Sequence, residues 1–126
     1  MLDATRIIRA TDRAAAALAD RRAGMRAYRR AFNQALAVMP GLGGVGTLAD
    51  DLAAIEDGLP AAHPLRRARR DVIQYQRDHA DMAALSAVLL PASSPAERDA
   101  IIDRVFAVAM AIERGVDPVQ AAADFG

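Results

Sequence analysis

The 126-residue sequence predicts an all-α fold, a helical bundle that forms a single domain over residues 1–126. Apolar or small residues recur in alternating steps of three and four, which is the period of helices packed on other helices. Alanine, the residue with the best helix propensity, occurs 31 times. Proline and glycine stand mainly between the periodic segments. The sequence therefore predicts five helices, over residues 2–39, 47–57, 64–90, 95–114 and 118–124.

The first predicted helix, over residues 2–39, is the longest. It contains no proline and one glycine, Gly24. A glycine inside a helix costs only about 1 kcal/mol relative to alanine. We therefore expect the helix to continue through Gly24, with a break near residues 20–24 as the alternative.

A glycine-rich loop and a short acidic helix follow. The loop at residues 41–46 matches the letters G-x-G-x-x-G. That motif binds a dinucleotide only after a strand, and here a helix precedes it, so we interpret the loop as a turn. Thr47 is suited to cap the acidic helix over residues 47–57, with Asp50 at the third helical position, and Gly58 ends it.

Three further helices are delimited by capping signals. Pro64 suits the first turn of the helix over residues 64–90. Ser94 and Glu97 form a predicted capping box at the start of the helix over residues 95–114. Asp117 and Pro118 begin the last predicted helix.

The predicted helices differ in length. At about 1.5 Å per residue, the first helix measures roughly 57 Å and the next long helices about 40 Å and 30 Å. The shorter helices cannot cover the whole apolar edge of the first. We therefore expect part of this edge, called here the contact seam, to bind a second copy or another protein. Its expected contact residues are Ile7, Leu18, Met25, Tyr28 and Phe32.

Charge alternates along the chain although the net charge is zero. All sixteen basic residues are arginines, and eight of them lie in residues 1–39. Four arginines fall within an arc of about 100° on the first helix if it is continuous: Arg22, Arg26, Arg29 and Arg30. They would pair with acids, from the helix over residues 47–57 or from a neighbouring subunit, or contact phosphate groups. The zero net charge favours the acids, because nucleic-acid modules usually carry an uncompensated basic face.

No residue constellation indicates catalysis, a metal or a cofactor. The chain has no cysteine, three glutamates and two histidines. We expect His79, on the apolar seam of the helix over residues 64–90, to be a core residue, because a metal site would need more ligands. The sequence predicts a protein that is not an enzyme and that uses no cofactor.

The expected function is that of a non-enzymatic helical interaction or assembly protein. It would self-associate or dock to a protein partner, possible settings being a phage-like particle or another macromolecular assembly. The alternative is a nucleic-acid-associated protein that contacts phosphates through its arginines. Asp3 and Arg6 occupy the place of a secretory apolar region. The longest apolar runs are shorter than the roughly 20 residues of a membrane span. We therefore expect no membrane contact and a location in the cytoplasm or in a particle assembled there.

Overall fold

The computed structural model describes residues 4–89 and 93–126, with side chains from residue 10 onward. The described chain is mostly helical and contains one small antiparallel sheet of two strands. Its elements in chain order are α1 (Ala4–Ala23), β1 (Arg26–Tyr28), α2 (Arg29–Val38), α3 (Leu48–Asp57), α4 (Pro64–Asp71), β2 (Gln74–Gln76), α5 (Ala80–Leu89), α6 (Pro95–Glu113) and α7 (Pro118–Phe125).

The sheet interrupts two of the helices expected from the sequence. The expected continuous helix over residues 2–39 is wrong, because α1 ends at Ala23 and β1 follows before α2 begins. The expected helix over residues 64–90 is divided in the same way into α4 and α5. Residues 2, 3 and 90 of these two ranges lie outside the described residues. Each strand is only three residues long, which is too short to disturb the helical spacing of apolar residues. That spacing therefore continues across both breaks and predicts uninterrupted helices.

Where the helices are interrupted, backbone N–H and C=O groups have no partner within a helix. Hydrogen bonds between the two strands pair these groups. Ala27 lies opposite Tyr75 at the centre of the ladder. At one end the Arg77 N–H donates to the Met25 carbonyl oxygen at 2.9 Å. At the other end the Arg29 N–H donates to the Ile73 carbonyl oxygen at 2.7 Å. Each break thus supplies the partner of the other, which avoids the cost of unpaired buried amides.

An aromatic cluster beside the sheet forms the centre of the core. Phe32, Tyr75 and Phe106 are all buried. The ring centroid of Phe32 lies 4.9 Å from that of Tyr75 and 5.4 Å from that of Phe106, in tilted and edge-on arrangements. Such pairs add about 0.5–1.5 kcal/mol beyond the apolar area they bury. The cluster therefore ties β2 to α2 and α6.

Alanines let the helices around this cluster approach closely. α2 packs chiefly on α6, and it buries Ala31 and Ala35 in doing so. On α6, Ala109 and Ala111 are buried. Because an alanine side chain is small, the backbones of packed helices can lie near the short end of the usual spacing of about 8–10 Å.

Local signals read from the sequence are confirmed at two helix starts. At α3 the Thr47 hydroxyl accepts from the Asp50 N–H at 3.3 Å, and the Asp50 carboxylate accepts from the Thr47 N–H at 3.0 Å. At α6 the Ser94 hydroxyl accepts from the Glu97 N–H at 3.3 Å, which is the Ser94 half of the predicted capping box. The glycine-rich loop before α3 is a turn, closed by the Gly41 N–H on the Gly46 carbonyl oxygen at 3.0 Å.

None of the helices that the structure describes combines the length and the apolar composition that crossing a bilayer requires.

We predict that Phe32→Ala lowers the free energy of unfolding by about 3–5 kcal/mol, because the substitution leaves a cavity at the centre of the core. Tyr75→Phe is the matched control. The Tyr75 hydroxyl lies 3.5 Å from the carbonyl oxygens of Ala68 and Arg69, so these bonds are long and their loss should cost less than about 1 kcal/mol. Urea unfolding measures both changes. Equal destabilisation by the two substitutions would contradict this account of the core.

Candidate interaction surface

Helix α1 stands apart from the rest of the described chain. Every side chain from residue 10 to residue 17 is exposed, and only Leu18 and Arg22 are half-buried. No other described element packs along the length of α1. Contact with the remainder of the protein is therefore concentrated at the C-terminal end of this helix.

An apolar stripe runs along the projecting helix. With about 100° between successive residues, Ala14, Ala15 and Leu18 fall within an arc of about 100°. We call these three residues the α1 stripe. The side chain of Ile7, which the sequence also predicted for the contact seam, lies outside the described residues. Both alanines of the α1 stripe are exposed, so the chain does not shelter this face.

A network of ion pairs holds the C-terminal end of α1 to the body of the protein. Arg22 binds Asp103 of α6 with two hydrogen bonds, from Nη2 at 2.8 Å and from Nε at 3.2 Å. Arg77, a buried arginine just after β2, donates from Nε to the same carboxylate at 2.7 Å. Arg77 also donates from Nη2 to Asp99 at 3.0 Å. One carboxylate thus joins α1, the end of β2 and α6.

The Asp103 carboxyl is ionised at neutral pH. Burial raises the pKa of the Asp103 carboxyl, but hydrogen bonds from Arg22 and Arg77 lower it by more, so the pKa lies below its ordinary value. The hydrogen bond to Asp103 in turn raises the pKa of Arg22. Asp103 therefore binds both guanidinium groups as a carboxylate across the whole neutral range.

A groove of about 1020 Å³ opens between α2, the residues before β2 and the end of α6. Tyr28 is 53% exposed and Ile73 is 70% exposed, and both line this groove together with Ile112. Charges of both signs also line it, Arg30 from α2 and Glu113 from α6. The groove is thus lined by apolar, polar and charged side chains together.

The residues expected to form one contact seam are distributed over different environments. Phe32 is buried in the protein's own core, which corrects the expectation that it contacts a partner. Met25 is half-buried against that core, whereas Tyr28 lines the groove. Leu18 belongs to the α1 stripe, and the side chain of Ile7 is not among those described. The change of direction at β1 causes this division, because a seam needs a straight helix.

The four arginines expected on one arc are also separated by the break. Arg22 pairs with Asp103 of α6, so the expectation that its acid partner lies in the acidic helix α3 is wrong. Arg29 donates from Nη1 to the carbonyl oxygen of Arg70. Arg26 and Arg30 are exposed. Contact of these arginines with phosphate or with a neighbouring subunit stays a prediction.

The acidic helix α3 pairs with a different arginine. Arg69 of α4 donates from Nε to Glu56 at 3.0 Å, and its guanidinium carbon lies 5.9 Å from the ring centroid of Phe32. Its Nη1 is buried without a hydrogen-bond partner. The ring face beneath this guanidinium supplies a cation–π contact that offsets part of the missing bond. Arg69 therefore links α3 and α4 to the aromatic cluster.

The expected placement of His79 in the core is wrong. His79 is exposed in the turn before α5, where its Nδ1 accepts from the Asp81 N–H at 3.1 Å. Its expected position relied on an uninterrupted helix, which β2 removes. Within residues 4–89 and 93–126, no three histidine, cysteine, aspartate or glutamate residues are grouped so that they could hold a metal ion.

Sequence reasoning did not single out the residues that attach α1 or line the groove. Asp99 and Asp103 are four positions apart on α6, a spacing that places two carboxylates on one helix face. That spacing could have predicted a site on α6 that binds arginine side chains. No comparable signal existed for Ile73, whose exposure follows from the tertiary position of β2.

Comparisons with protein-family models, with curated proteins and with solved structures find no match to this chain.

We predict that Asp103→Asn lowers the free energy of unfolding by about 1–3 kcal/mol, because the hydrogen bonds from Arg22 and Arg77 lose their ionic character. The pKa of Asp103 is lower in the folded state than its ordinary value, so the stabilisation is complete above that ordinary pKa. It is lost as the pH falls from about 4 through the folded-state pKa.

Urea unfolding between pH 7 and pH 2.5 measures this effect. Asp57→Asn, at an exposed aspartate of α3, is the control and should retain the acid-dependent loss of the unaltered protein. An Asp103→Asn variant with the same acid dependence as the control would show that the network does not stabilise the fold.

Proposed function

We propose that this protein is a non-enzymatic helical assembly protein that self-associates through the α1 stripe. The observation that carries the proposal is the exposure of residues 10–17 on a helix that projects from the bundle. The bundle of α2 to α7 is the folded body in this proposal, and α1 is its connecting arm.

The physical support comes from the stability of helices in water. Most of the stability of a helix in a protein comes from packing an amphipathic face, and helix propensity alone is marginal. α1 is rich in alanine, which favours the helix, but its own chain covers only its C-terminal end. A second surface against the α1 stripe would supply the missing packing.

A second copy of the chain is the partner that the charges favour. The net charge is zero, so two copies do not repel one another at long range. The exposed members of the α1 stripe are alanines, and each buries little apolar area at about 25 cal/mol per Å². We therefore expect reversible self-association at micromolar or higher concentration and not a permanent dimer.

Nucleic-acid binding ranks second among the candidate functions. Two of the four arginines proposed for phosphate contact, Arg22 and Arg29, use guanidinium donors within the chain. Arg26 and Arg30 remain exposed at the surface. With two of these four arginines bonded within the chain and a net charge of zero, the electrostatic attraction to a polyanion is weaker than the sequence pattern suggested.

We predict that Ala14→Asp abolishes self-association, because a charge would enter the apolar contact. Ala16→Asp is the matched control, since Ala16 is also exposed on α1 and lies about 160° around the helix from Ala14. Sedimentation equilibrium over a range of concentrations should show association for the unaltered chain and for Ala16→Asp, and a monomer for Ala14→Asp. Circular dichroism verifies that the helix content is equal.

A strict monomer for the unaltered chain at millimolar concentration would refute self-association. Equal behaviour of Ala14→Asp and Ala16→Asp would show that the α1 stripe is not the contact.

We predict no gel shift of duplex DNA or single-stranded RNA by the unaltered chain at low salt. Binding that weakens steeply with salt and disappears in Arg26→Ala/Arg30→Ala would instead establish the alternative function. Arg104→Ala, at an exposed arginine of α6, is the control for nonspecific loss of charge.

A further inference from the structure

We infer that the groove lined by Tyr28, Ile73 and Ile112 receives the α1 stripe of a second copy of this chain, and that two copies exchange these helices reciprocally. This inference rests on the proposed function and adds the surface that receives α1.

The groove has the form of a receptor for an amphipathic helix. Such receptors present an apolar floor to side chains spaced about three, four and seven positions apart on the incoming helix. Here Tyr28 and Ile73 expose apolar surface in a groove of about 1020 Å³. Ala14 and Leu18 are four positions apart, and Ala15 lies beside them on the same face. The α1 stripe thus offers the pattern that the groove accepts.

The charges of the two surfaces are complementary. Relative to the α1 stripe, Asp12 lies on one flank and Arg21 lies on the other, at about 100° per residue. The groove carries Arg29 and Arg30 from α2 and Glu113 from α6, whose Oε1 accepts from the Tyr28 N–H at 2.6 Å. A helix seated with its stripe on the groove floor can place Asp12 beside Arg30 and Arg21 beside Glu113, which fixes the direction of the docked helix.

The main competing arrangement pairs the α1 stripes of two copies with each other. In an antiparallel pair of this kind, the flank with Arg21 would face the same flank of the second helix, which carries no acid within residues 10–23. The groove offers an acid to that flank, which the antiparallel α1 pair does not. Charge therefore favours the groove over that arrangement.

The same chain does not fill its own groove. Arg22 holds the end of α1 at Asp103, ten residues before Glu113 along α6, which corresponds to about 15 Å of helix. Both the alanines of the α1 stripe and the groove residues Tyr28 and Ile73 are exposed in the single chain. In a reciprocal exchange, the α1 stripe of each copy covers the groove of the other copy. The two copies then form a closed, symmetric dimer.

Ile73→Asp tests the groove, with Val119→Asp as the matched control. Both side chains are 70% exposed, so neither substitution removes core packing, and Val119 lies on α7 outside the groove. We expect Ile73→Asp to weaken dimerisation at least about tenfold and Val119→Asp to leave it unchanged, as measured by sedimentation equilibrium. If Ile73→Asp dimerises like the unaltered chain, the groove is not the receptor.

A mixing experiment distinguishes failure of this inference from failure of the proposed function. The Ala14→Asp variant keeps an intact groove, and the Ile73→Asp variant keeps an intact α1 stripe. We expect each to be monomeric alone and the mixture to form a heterodimer through one restored contact, weaker than the unaltered dimer. Ile73→Asp that dimerises alone as strongly as the unaltered chain, or a mixture that stays monomeric while the unaltered chain dimerises, overturns helix exchange but not self-association. A monomeric unaltered chain overturns both.

Discussion

The pairing of residues 26–28 with residues 74–76 is the constraint on which the rest of the structure depends. Without it, two interruptions of helical hydrogen bonding would leave backbone groups unpaired near the core. With it, Ala27 and Tyr75 enter the core side by side, and Tyr75 contacts the ring of Phe32. The pairing also brings Arg77 to Asp103 and thereby fixes the place where α1 leaves the body.

Two different kinds of interaction hold the two parts of the molecule. The body is held by buried apolar side chains and closely packed alanines, which respond little to salt. The end of α1 is held largely by the ion pairs of Arg22 with α6, which are partly exposed and therefore weaken with salt and acid. The direction of α1, and with it the presentation of the α1 stripe, thus depends on the salt concentration and the pH.

The sequence predicted those features that depend on neighbouring residues. Thr47 and Asp50 form a capping box, and Ser94 caps α6 by accepting from the Glu97 N–H; both signals lie within a few positions. The helix breaks depend on a partner strand far along the chain, and Gly24 was the only local sign of one. The prediction of a single contact seam was wrong for the same reason. A helical period of apolar residues shows that one face of a helix is covered, but not whether the protein's own core or a partner covers it. Phe32 is therefore core, whereas the alanines of α1 remain exposed.

The distance along the chain between the two strands has a consequence for the order of folding. Arg26 pairs with Gln76, about fifty residues later, so β1 has no partner until those further residues have left the ribosome. Until then, local propensity favours an uninterrupted helix through residues 2–39, as the periodic pattern indicates. Any helix that forms through residues 24–28 of the nascent chain has to unwind before the second strand can pair, so we expect a slow step of folding at this point.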